Sequence, residues 1–232
     1  MKSKTVKLST FISFALMSIV LISGCDKESD SSKEILQMIK NTKPVKAASE
    51  DGGLRELSLY EALKTHQEHE HSSHHHEDDN HYHHEYKAHQ HDELTHFCLG
   101  IATGFKAIQF ADAQLSPNSR LNPKELEISV NGAMEGVWDI FSIYAGSKRE
   151  FEGTDKPMSS SSFTFTAKTP DAAQELKFRL KKTIIPEKFF KLKNKGYGCG
   201  NKELGEAKNK ALRKILSSSA QECFELVNNT SD

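Results

Sequence analysis

His96-Phe97-Cys98-Leu99-Gly100-Ile101-Ala102-Thr103-Gly104-Phe105-Lys106-Ala107-Ile108-Gln109-Phe110-Ala111 is the stretch on which the fold turns. Leu99, Ala102, Phe105, Ile108 and Ala111 recur at helical spacing, which predicts a helix with an apolar stripe against a core. Working outward, Pro117 and Pro123 bracket a loop, and residues 126–130 alternate apolar and polar as a strand does. Asn131-Gly132 reads as a turn. Ala133, Val137, Ile140, Phe141 and Tyr144 then predict a second helix, closed at Gly146 by the left-handed residue that glycine supplies. After a loop at 159–162, residues 163–167 and 176–180 alternate on either side of Thr169-Pro170-Asp171, which predicts a hairpin. Residues 181–195 are basic, and a helix is expected after Pro186. Leu204, Ala207, Ala211, Ile215, Cys223 and Leu226 predict a C-terminal amphipathic helix over 201–227. The sum is an α+β fold with helices on a small mixed or antiparallel sheet. The expected domain is 93–182, with a basic and helical extension over 183–232.

Charge narrows the function. The chain of 232 residues has 31 Lys+Arg against 32 Asp+Glu, a net charge of −1. Nucleic-acid binders carry a basic excess to neutralise phosphates, so this balance speaks against that class. The 12 histidines are distributed unevenly, because all lie between His66 and His96. Residues 65–92 are almost free of aliphatic side chains, which predicts a disordered arm ahead of the domain. Its donors are His66, His69, His71, His74, His75, His76, His81, His83, His84, His89 and His91, interspersed with Glu and Asp. Imidazole suits zinc, copper and nickel, and interchangeable donors on a flexible chain favour several competing sites over one geometry. The run is internal, mixed with acids and never six histidines long, so it is not an expression tag. A tether that responds to mild acid is the competing reading, since imidazole gains charge near pH 6.5.

The N-terminus reads as an export signal. Lys2, Lys4 and Lys7 precede an apolar run over residues 8–22, short for a membrane span of roughly 20 residues. Leu21-Ile22-Ser23-Gly24-Cys25 resembles the lipobox of bacterial lipoproteins, with 1–24 as the signal peptide and Cys25 as the lipid attachment. Asp26 after it resembles an inner-membrane retention signal. The expected location is the cell envelope, on the periplasmic face of the inner membrane in a Gram-negative host. Residues 25–64 read as a lipid-anchored spacer, in which Leu54, Leu57, Leu59, Ala62 and Leu63 suggest one short helix. With Cys25 committed to lipid, Cys98, Cys199 and Cys223 remain, and Cys199 with Cys223 is the easier pair across a short loop.

His96-x-Cys98-x-Gly100, followed by Gly104 and Lys106, resembles the start pattern H-G-H-x-C-P-G of the FmdE-like family of formylmethanofuran dehydrogenase subunits. The chain departs from it at Leu94, Thr95 and Leu99. A second block, C-x-x-D with a glycine seven residues after the acid, falls on Gly136, Asp139 and Gly146, with Gly136 replacing the family cysteine. Ser147-Lys148-Arg149 departs from the stretch that follows, and Phe163-Thr164-Phe165 matches a third block. The resemblance spans about 92–180. It implies an α+β fold with a metal, commonly zinc, at the His/Cys-bearing start of the first helix. From the residues alone, His96 and Cys98 supply one nitrogen and one sulfur, too few for a tight site, so Asp139 or an arm histidine would complete the shell. The competing reading makes Cys98 a small buried hydrophobe and His96 an edge residue.

No nucleophilic triad is visible, and no catalytic residue is nominated, because no histidine follows His96. Gly196-Tyr197-Gly198-Cys199-Gly200 lacks the strand, turn and helix grammar of a phosphate loop. Three functions stand. One is an envelope lipoprotein binding a divalent transition metal, zinc or alternatively nickel or copper, through the arm and the His/Cys site. Another is a metal-dependent enzyme or an accessory component of a redox complex. The last is a pH-responsive interaction module. Export counts against formylmethanofuran chemistry, which is cytoplasmic, so the first is favoured and enzyme status stays open. The candidate partners are the membrane, a metal transporter or redox protein, and a second copy of the chain.

Overall fold

A computed structural model describes residues 26–49, 51–73, 94, 96–115, 122–124, 127–131, 134–146, 157–169, 174–198 and 200–227. The fold is α+β. Two units are distinguished, residues 1–37 and residues 38–232. The first contains the start of helix α1 (Asp26–Lys40), and the second contains every later element.

Structure begins earlier than the polar composition of 25–64 suggests. Besides α1, this region forms a hairpin of β1 (Val45–Ala48) and β2 (Leu54–Leu57), in register from Val45 opposite Leu57 to Ala48 opposite Leu54. Val45, Ala47, Ala48 and Leu57 are buried, so a few scattered apolar residues suffice to fix the segment. Gly52 turns the chain at φ 89°, and the Asp51 carboxylate accepts from the Gly53 amide at 2.9 Å. The spacer is therefore folded over its described residues. The expected helix at 54–63 is split between β2 and α2 (Leu59–Ser73), whose first turn is capped where Ser58 Oγ accepts from the Glu61 amide. α2 runs through 65–73, which corrects the expected start of the arm. The rest of the arm, 74–92, lies outside the described residues, as do the apolar run at 8–22 and Cys25.

α3 (Leu99–Leu115) is the centre of the second unit. The sequence predicts one buried stripe, whereas every residue from Leu99 to Ile108 is buried. The difference arises because α3 has neighbours on several sides: α2, α4 (Glu135–Ala145), β5 (Glu175–Leu180), α6 (Lys202–Ser217) and α7 (Ala220–Cys223). Against α4 the backbones come close through glycine. A Cβ on Gly100 would lie 3.1 Å from Gly136 Cα, and one on Gly104 would overlap Ile140 Cγ2. α4 ends at Gly146 with φ 61°, as its sequence requires.

β3 (Glu127–Asn131), β4 (Thr164–Lys168), β5 and β6 (Phe224–Leu226) form an antiparallel sheet in chain order. Val130, Phe165, Phe178 and Leu226 stand opposite one another across it. Period-two alternation puts Ile128, Val130, Phe165, Ala167, Phe178 and Leu180 inside. There Phe165 stacks on Phe178 at 5.2 Å, and Phe224 meets both edge-on. Ser160–Ser162 is a 3-10 turn.

α5 (Glu187–Asn194) follows Pro186 as expected. The single helix expected over 201–227 is instead α6, α7 and β6. Ser219 causes the break: its Oγ accepts from the Glu222 amide, and the Glu222 carboxylate accepts in return from the Ser219 amide, so a new helix starts there. Phe224 then enters the aromatic cluster and β6 completes the sheet, so the C-terminal segment is integral to the core. Cys223, which the sequence left open to pairing with Cys199, is a free and fully buried thiol; Cys199 lies outside the described residues. Among the described residues no helix is long and apolar enough to cross a membrane.

Candidate functional site

Three helices meet at the start of α3. The Cys98 carbonyl accepts the first bond of that helix from the Ala102 amide at 3.2 Å, so the cysteine stands at its N-terminus. Its half-buried side chain rests on Gly136, in the first turn of α4. A Cβ at Gly136 would lie 2.6 Å from Cys98 Sγ, so the absent side chain is what leaves room for the thiol. One turn along α4 is Asp139, whose Oδ2 lies 2.7 Å from Nδ1 of His66 on α2. That is ion-pair distance. His66 is only 5 % exposed, whereas the Asp139 side chain is 34 % exposed and keeps contact with water.

His66 is thus part of the folded unit and not of a disordered arm. The signal that finds it is in the sequence. Leu59, Ala62, Leu63 and His66 occupy positions i, i+3, i+4 and i+7, so the histidine continues the buried face of α2. α2 packs on both α3 and α4, which carries His66 to Asp139. The next residue ties α2 to the chain leading into α3, because Gln67 Oε1 accepts from the His96 amide at 3.3 Å.

The other nominated residues are placed less tightly. His96 is exposed and held through its main chain. Leu94, where the family pattern has histidine, is buried. His69 and His71 continue along α2, while His74, His75, His76, His81, His83, His84, His89 and His91 lie outside the described residues. Among the described residues, no three His, Cys, Asp or Glu side chains stand together in an arrangement that would hold a metal. Two donors, His66 and Asp139, are in contact, and the third, Cys98, is offset by one turn of α4.

A second polar feature lies about two turns further along α3. Lys106 is buried, and its Nζ donates to the Ser218 carbonyl at 2.8 Å, satisfying the end of α6. Burial holds its pKa below the ordinary lysine range. Burial also raises the nearby Cys223 thiol to about 11, even though the Lys106 charge acts to lower it. This pair is closed to solvent.

Comparison with family models, with curated proteins and with solved structures finds no match.

Proposed function

We propose that the protein is an envelope lipoprotein, anchored at Cys25, that binds a divalent transition metal at the junction of α2, α3 and α4 and gathers it through its histidine-rich segment. The observation that carries this reading is the buried His66 against Asp139, one turn of α4 from the Cys98 thiol. A nitrogen and an oxygen donor are in contact there, with a sulfur donor one turn of α4 away, and such a set suits zinc best, with nickel and copper as alternatives. The resemblance to the FmdE-like family supports it, because that family sets its metal at the same helix start. It also sets a second cysteine at the position of Gly136, which here faces Cys98 Sγ. The chain lacks that cysteine and the histidine at Leu94, and His66 supplies a nitrogen from another element. His96, or a histidine from 74–91, would fill the remaining positions.

Zinc affinity and stoichiometry of the full chain test this by competition with a chromophoric chelator. Deletion of 74–92 stops short of α2 and leaves His66 in place. It is expected to lower the number of zinc ions bound while retaining the tightest. Cys98→Ser with Asp139→Asn is expected to weaken that tightest ion roughly 10- to 100-fold. Unchanged binding in both variants would refute the proposal.

A further inference from the structure

We infer that the surface made by α5 and the Lys195–Lys202 connection to α6 docks on an anionic lipid bilayer. The inference rests on the membrane attachment proposed above and adds which face of the second unit meets the lipid.

The whole chain is close to neutral, but 181–202 holds seven lysines and one glutamate. Phe189, Phe190 and Leu192 turn one side of α5 into the core. Lys188, Lys191 and Lys195 share the opposite, exposed side at i, i+3 and i+7, and Lys193 and Lys202 are exposed nearby. Lys188 pairs with Glu203 at 3.0 Å. The side chains of Lys191, Lys193, Lys195 and Lys202 have no ion pair or hydrogen bond among the described residues. Among the described residues, two of the three cations of β4 and β5 on the outer face of the sheet are matched, while the exposed Lys177 is not. There Lys168 meets Glu175 at 3.2 Å and Arg179 meets Glu225 at 2.6 Å across neighbouring strands. A solvated face intersperses both signs as that sheet does; the α5 face does not.

A second observation points to lipid rather than to a soluble anion. Tyr197, in the middle of the basic loop, is 42 % exposed and is one of three exposed large apolar side chains among the described residues. Gly196, at φ 77°, Gly198 and Gly200 have open space where a Cβ would sit, so nothing covers these positions beside Tyr197. An exposed ring with a polar end, with lysines on either side of it in the chain, matches the headgroup region, where tyrosine is enriched and lysine meets phosphate. Screening confines this attraction to within about 10 Å of the surface at 0.1 M salt. The proposed N-terminal anchor would keep the chain at a membrane surface.

The test uses the full chain carrying Tyr197→Trp, in vesicles of brominated phosphatidylcholine with or without phosphatidylglycerol; the parent chain gives the Trp138 background. Bromine quenching of the introduced indole is expected in the anionic vesicles and not in the neutral ones. Lys191→Gln/Lys193→Gln/Lys195→Gln is expected to abolish it, a loss on the order of a hundredfold at about fivefold per lysine. The corresponding triple arginine variant is expected to restore it, which separates charge from misfolding. Equal quenching in both vesicle types, or none in anionic vesicles with which the chain floats, overturns the docking face and spares the anchor. A chain that floats with neither vesicle overturns both.

Discussion

Two thiols lie beside α3, and their surroundings differ. Cys98 is half-buried at the start of the helix, with the half-exposed Asp139 and the buried His66 close by. Cys223 is fully buried near Lys106, where the polar groups close on main-chain carbonyls: Lys106 on Ser218, and the Cys223 thiol on Ile215 at 3.9 Å. Both regions put ionisable groups inside the protein. Only the first combines a side-chain partner with access to water, and so only it can exchange its internal contact for a ligand. A buried polar group satisfied by backbone is architecture. One satisfied by a reachable carboxylate is available for chemistry.

The largest expected effect removes what the two regions share. Gly104→Leu would drive a side chain into Ile140 and wedge α3 from α4. We expect a loss of about 3 kcal/mol, read from the denaturation midpoint at constant slope, with both thiols becoming reactive together. A stable variant in which only Cys98 is reactive would show that the regions are not joined through this seam.

The next effect separates them by pH. Burial raises the Cys223 thiol from 9.0 to about 11, so the folded state favours the neutral thiol. The stabilisation from this group is therefore whole below pH 9 and is lost as the pH climbs from 9 to about 11. That amounts to about 2–3 kcal/mol once both values are passed. Lys106 acts in the opposite sense, since its lowered pKa makes its burial less costly as pH rises. Cys223→Ala is thus expected to flatten the alkaline fall in stability, measured by urea unfolding from pH 8 upward. Cys98→Ala should leave the slope as it was. An unchanged slope in Cys223→Ala would remove the distinction between the two thiols.

A smaller effect distinguishes chemistry from architecture. His66→Leu keeps an apolar shape on the buried face of α2 and leaves Asp139 with solvent. Stability is expected to stay within about 1 kcal/mol, because the Asp139 carboxylate is partly exposed and is hydrated once the imidazole is gone. Zinc affinity is expected to fall about tenfold or more in the same variant. A collapse of stability would instead make the His66–Asp139 contact structural, like the one Lys106 makes.

The contrast also marks how far the sequence can be read. Elements with unbroken periodicity are legible: α3, α4 with its closing Gly146, the strands around 163–180, and α5 behind Pro186. The breaks are harder, because Ser219 divides what reads as one amphipathic helix through a reciprocal cap, and no apolar spacing records that. Cys98 and Asp139 are visible as candidates, and α4 brings both to one junction. His66 is obscured because it opens a run of histidines, and composition outweighs spacing there. Only after Leu59, Ala62 and Leu63 are assigned to one helical face does its burial follow. The hairpin at 45–57 rests on isolated apolar residues whose partners are distant in space, which local pattern does not disclose.

The most direct measurement is the absorption spectrum of the full chain in detergent, titrated with cobalt(II) as a stand-in for zinc. A site that includes Cys98 gives a sulfur-to-cobalt charge-transfer band. That band is expected in the wild type, retained after deletion of 74–92, and absent in Cys98→Ser. A band that survives Cys98→Ser, or cobalt binding that disappears entirely with 74–92, would contradict a metal centre at the junction of α2, α3 and α4.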